Sequence, residues 1–270
     1  MSRSLTASPD IYSWSPEPAN GAVDTIPDYL LDLQSGALRR KFSEAWESYE
    51  RVTRVLNGGW LRRLLDGRNK IPVTDAVTAK QAFNNWLTAA KVEYVAQENK
   101  RDLFSTYDLV ITPNVPVPAG RFARLGERLA RAKGAHFAGA GAVASFTSEQ
   151  ISGYNPDAGA LNFALVPTHS THNMANNAAG QQAHAETLQQ QELPGIHAVT
   201  PLERLVAWGF SEHDPGASAR DGGATMTHFD LETTINRSPY VLTSTLSSAG
   251  DLAMTLASSY SHQRGYLAVG

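Results

Sequence analysis

A chain of 270 residues, 42% hydrophobic and 18% charged, is long enough for one large domain or two modest ones and can bury a sizeable core. The absence of cysteine excludes a disulfide framework, a thiolate metal site and a Cys nucleophile. The net charge of −3 conceals an asymmetry: residues 1–135 carry 19 Lys and Arg against 15 Asp and Glu, the remainder 4 against 11.

The opening MSRSLTASPD lacks the apolar core of a signal peptide, and no run approaches the ~18 apolar residues of a membrane span. The chain therefore reads as intracellular (cytoplasmic) or part of a virion, with no membrane partner. Residues 1–26 read as an extended N-terminal arm. Pro9, Pro16 and Pro18 interrupt any helix, while Ile11, Tyr12 and Trp14 form an apolar cluster suited to docking on this domain or on a neighbouring copy.

Residues 27–112 read as a helical subdomain. After a short helix opened by Pro27, a stripe of Leu38, Phe42, Ala45, Tyr49, Val52 and Leu56 predicts a long amphipathic helix that Asn57-Gly58-Gly59 ends. Its outer face offers two i,i+4 pairs, Glu47–Arg51 and Glu50–Arg54. WLRRLLDG continues as a short helix whose Arg62 and Arg63 have no obvious partner. Thr78 and Gln81 fit a capping box, opening a helix that buries Phe83, Trp86 or Leu87, Ala90 and Tyr94 and extends toward Leu103. Residues 109–112 read as a strand. Pro113, Pro116 and Pro118 then make 113–120 a Pro-rich connector, a hinge or subdomain boundary.

Residues 121–270 read as a mixed α/β subdomain with a C-terminal tail. It opens on GRFARLGERLARAKGAH, where Arg121, Arg124, Arg128 and Arg131 fall within roughly an 80° arc of a helix. Phe122, Leu125 and Leu129 form the apolar edge that packs, and within this helix Glu127 alone is placed to pair with the arginines. Gly126 weakens the helical pattern. GAHFAGAGAVAS is too small-sided to assign. LNFALVP reads as a strand, NNAAGQQAHAETLQQQ as a polar helix, and TPLERLVAWGF as a buried helix starting at Thr200-Pro201. SPYVLTST and DLAMTLASSY read as strands of a hairpin turning through 247–250. The fold class is mostly α with a minor β component (α+β), with a helical first half and a mixed second half.

A row of arginines without local partners suits a phosphate backbone, because each guanidinium reaches a separate phosphate and releases its counterion. Arg62, Arg63 and Lys133 are weaker candidates for the same role. His169, His172 and His184, with Glu186, form a grouping that three imidazoles and a carboxylate would need for zinc, but there is no HExxH and no Cys pair, so no metal and no cofactor is expected. No G-x-S-x-G, S-x-x-K or Walker loop is present, and nothing names a reaction.

These features combine in one expectation: a self-assembling viral or phage-like coat protein or nucleoprotein, with enzymatic activity left undecided by the motifs. Its partners are copies of itself and nucleic acid, RNA before DNA, bound through the backbone without sequence preference. Low overall charge lets subunits pack without mutual repulsion. In bulk composition (Ala 37, Ser 22, Pro 14) and size, the chain resembles the Pro/Ala/Ser-rich coat proteins of some fungal RNA viruses. The alternatives are a metal-assisted or acid/base hydrolase with a His-rich site in the second half, and a scaffold or adaptor that never touches nucleic acid.

Overall fold

The computed structural model describes residues 37–58, 71, 74–89, 107–167, 196–197, 199–210, 225–247, 249–258 and 268–269. Among them the fold is α+β, with six helices and two four-stranded sheets. The helices are α1 (Ala37–Leu56), α2 (Ala76–Ala89), α3 (Ala119–Lys133), α4 (Ala140–Val143), α5 (Ser148–Ser152) and α6 (Pro201–Phe210). One sheet is antiparallel throughout, ordered β1 (Tyr107–Pro113), β3 (Leu161–Pro167), β8 (Ala268–Val269), β4 (Ile196–His197). In the other, β2 (Phe137–Ala138) runs parallel to β7 (Leu252–Ser258), which continues antiparallel through β6 (Ser238–Leu246) to β5 (Thr225–Ile235).

Strand alternation gives the first sheet two apolar faces. Ile111 of β1 sits opposite Phe163 of β3, and both face an aromatic group from α1 and α2. There Phe83 lies 4.9 Å from Phe42 and 5.5 Å from Phe163, and Trp46 stacks on Tyr49 at 4.9 Å between ring centroids. Val110, Ala164 and Val166, on the opposite face, enter the main core with Val52 and Leu56 of α1. Phe122, Leu125 and Leu129 of α3, Leu202 and Leu205 of α6, and Leu242, Leu252 and Met254 of the second sheet complete it. Residues before and after the 113–120 connector thus share one core.

The connector is braced. Asn114 donates through Nδ2 to the carbonyls of Asn155 (2.8 Å) and Gly159 (2.7 Å) and accepts from the Asn155 amide at 3.0 Å. The Val117 amide donates to the Ser148 carbonyl at 3.0 Å. With its Pro-rich backbone held at both ends, the segment delivers the chain into α3 in a set direction.

Several local expectations change. Helix α2 starts three residues earlier than the Thr78–Gln81 pattern implies: Asp75 is the cap, accepting from the Val77 (3.0 Å) and Thr78 (2.9 Å) amides and from the Thr78 hydroxyl (2.6 Å). The Thr78 hydroxyl bond, followed by the amides, holds the Asp75 carboxyl below its ordinary 3.8. Of the two i,i+4 pairs expected on α1, Glu47–Arg51 forms at 3.6 Å and Glu50–Arg54 does not, while Glu44 gathers Lys41 at 3.1 Å and Arg40 at 3.9 Å. GAHFAGAGAVAS supplies β2 and the single turn α4. The second half also holds strand β5, which the sequence pattern did not mark. Residues 1–26, the short helix after Pro27, Arg62 and Arg63, and the polar segment 176–191 lie outside the described residues.

Candidate nucleic-acid interface

Helix α3 is amphipathic in the sense that the arginine spacing requires. Phe122 and Leu125 are fully buried, and Gly126, Leu129 and Ala130 join them on one side. Phe122 meets Phe137 of β2 edge-on at 5.9 Å, and Phe137 lies 6.4 Å from Trp208 of α6. The helix ends at Gly134 in the left-handed region (φ 66°), where the Ala135 amide donates to the Ala130 carbonyl at 2.9 Å. These contacts settle the helix's rotation about its axis.

With the rotation settled, the opposite side must face solvent. Arg124, Arg128 and Arg131 are exposed there, with Glu127 beside them and Gly120 and Ala132 completing the face. Among the described residues no ion pair engages Arg124, Arg128 or Arg131, and Glu127 does not take up the pairing its position allows. Arg121 is half-buried and already interacts within the protein. The exposed row is therefore three guanidiniums rather than four, spread over about 10 Å of helix at 1.5 Å per residue.

Lys133 occupies a different place. Its ammonium is half-buried and donates to the Trp208 carbonyl at 2.8 Å, closing the C-terminal end of α6. Burial lowers its pKa from 10.5, partly countered by the charge of Asp108. This geometry gives Lys133 a structural task on the packed side of α3. The sequence pattern alone could not separate it from the outward arginines, because it follows them at helical spacing.

A second polar feature lies where α1, β1 and α6 meet. A cleft of about 60 Å³ is lined by Lys41, Glu44, Ser48, Asp108, Val206 and Phe210, among others. Small-molecule sites run to several hundred Å³, so this one admits little more than water. Among the described residues no three His, Asp or Glu side chains stand close enough to hold a metal ion. His169, His172 and His184, and the arm residues Ile11, Tyr12 and Trp14, lie outside the described residues. Among the described residues no helix is long and apolar enough to cross a membrane.

Comparison with protein-family models, with curated proteins and with solved structures returns no match for this chain. Functional assignment rests on the chain's own chemistry.

Proposed function

We propose that the protein binds nucleic-acid backbone through the outer face of α3, without base-sequence preference, and that it does so as a self-assembling coat protein or nucleoprotein. The observation that carries this reading is the row Arg124, Arg128 and Arg131, exposed and without ion-pair partners among the described residues. On α1, by comparison, Arg40 and Lys41 pair with Glu44 and Arg51 pairs with Glu47, while the exposed Arg54 enters no ion pair among the described residues. A fork-shaped, always-charged side chain at each step of a rigid helix offers bidentate contact to successive phosphates. The net charge of −3 keeps subunits from repelling one another as they gather on a polymer. RNA remains the first partner to test.

A salt series of equilibrium binding to RNA, read by fluorescence anisotropy, tests the reading. Three phosphate contacts imply a log–log slope of about −2 to −3. Replacing Arg124 and Arg128 by Ala should flatten it by roughly 1.4–1.8 units and weaken unrelated sequences alike. The core residues Phe122, Leu125 and Leu129 are untouched, so the thermal melt should not move appreciably. Arg51→Ala, on the paired face of α1, serves as the control and should leave binding unchanged. Equal affinity of the double variant and the wild type would return α3 to an ordinary solvated face.

A further inference from the structure

We infer that the polymer held by α3 is double-stranded, an inference that rests on the reading just given and narrows its ligand. The outer face of the helix contains arginine, one glutamate, glycine and alanine, and no aromatic ring on which a base can stack. Phe122, the aromatic residue of α3, is fully buried against Phe137. Among the described residues the large hydrophobic side chains classed as exposed are Val77 and Ile235, both aliphatic. Proteins that hold single strands combine a basic track with aromatic platforms, since splayed bases need a surface to cover them. The outer face of α3 offers the track without the platforms.

Without stacking, affinity comes from phosphate neutralisation, and that favours the polymer with the higher linear charge density. A duplex carries one charge per about 1.7 Å and releases ~0.9 counterion per contact, against ~0.7 for a single strand. Rigidity points the same way. The Gly134 cap, the Phe122–Phe137 contact and the bracing of 114–118 hold α3 in place, so the backbone positions that carry its arginines form a preset row with axial steps of about 4.5–6 Å. A stiff duplex meets such a row with little loss of its own freedom. A flexible strand must be ordered along it and gains no stacking on an aromatic ring in return. Gly120, Ala123 and Ala132, the small residues beside the row, let a wide rigid ligand approach the helix closely.

The test compares an oligouridylate with an RNA duplex of the same length, about 20 positions, on the full-length protein. Three contacts give expected slopes of about −2.7 for the duplex and −2.1 for the single strand, so that affinities equal at about 1 M salt diverge to about threefold tighter duplex binding at about 0.15 M. In the Arg124→Ala, Arg128→Ala variant that preference should shrink as both slopes flatten. Oligouridylate binding as tight as the duplex or tighter, still lost in the double variant, would overturn the inference while sparing the backbone reading. Binding of both polymers that ignores the double variant would overturn the backbone reading itself.

Discussion

Gly126 in the middle of α3 looks like a weakness, costing roughly 1 kcal/mol of helix propensity relative to alanine. The structure gives the reason it is there. A Cβ at this position would run into the Phe137 ring, which closely approaches the bare backbone. Gly126→Ala should therefore destabilise by about 1–3 kcal/mol through overpacking, measured by urea unfolding. Gly120, with nothing near its missing Cβ, is the internal control: Gly120→Ala should stay within about 0.5 kcal/mol of wild type. At the β5–β6 hairpin the two-residue turn Asn236-Arg237 has both residues at positive φ, 50° and 66°. Such turns favour glycine at the second position, so Arg237→Gly should stabilise by about 0.5–1 kcal/mol after the extra unfolded-state freedom is counted.

At the scale of elements, α6 is the hub. Thr200 and Glu203 cap it reciprocally, at 2.8 Å and 3.2 Å, and Trp208 anchors its end by donating from Nε1 to the Gly250 carbonyl at 2.9 Å. Arg204 on this helix is almost fully buried, and its Nε has no hydrogen-bond partner among the described residues. Burial draws the guanidinium down to about 10, countered in part by Asp108, so it stays charged at neutral pH. Asp108 thereby serves both Arg204 and Lys133, and Asp108→Asn should cost about 2 kcal/mol, less than a wholly buried pair because Asp108 is half-exposed. The sign of the pH effect follows from linkage. Arg204 and Lys133 have folded pKa values below their free values, so in the alkaline window the unfolded chain binds more protons and these groups' contribution to stability rises with pH. As pH rises above about 10, wild type should gain on Arg204→Met, by no more than about 1.4 kcal/mol per pH unit for this group. A gap that instead widens against wild type over that window would contradict the assignment of burial as the dominant cause.

For the whole molecule, the proposal joins backbone binding to assembly. Ile11, Tyr12 and Trp14 remain the proposed contact between copies, on the sequence argument that burying three large apolar side chains supplies roughly 1.5–3 kcal/mol each. Deleting residues 2–20 should leave the thermal melt near that of wild type while reducing particle size by light scattering. Unchanged particles would remove the arm from the assembly. Combining the deletion with the Arg124 and Arg128 substitutions separates the two activities: loss of assembly and loss of salt-dependent binding should be independent.

Local chemistry determined much of this protein in advance. The stripe of α1, the Pro-rich entry and arginine arc of α3, the capped start of α6 and the strands β3, β6 and β7 are all legible, because helix and strand periods are written residue by residue. Strand β5 was not, since Thr225–Ile235 mixes polar and charged residues and depends on pairing with β6 for its extended form. The start of α2 was misplaced because Asp75 and Thr78 both suit a cap, and hydrogen bonds in the folded chain choose between them. Tertiary structure alone decided which basic residues of α3 are available. Periodicity puts Lys133 next to the arginines, but the carbonyl of Trp208, brought from 75 residues away, claims its ammonium. It also joined both sides of the connector in one core, since burial depends on which surfaces meet, and a single sequence records only that each has an apolar side.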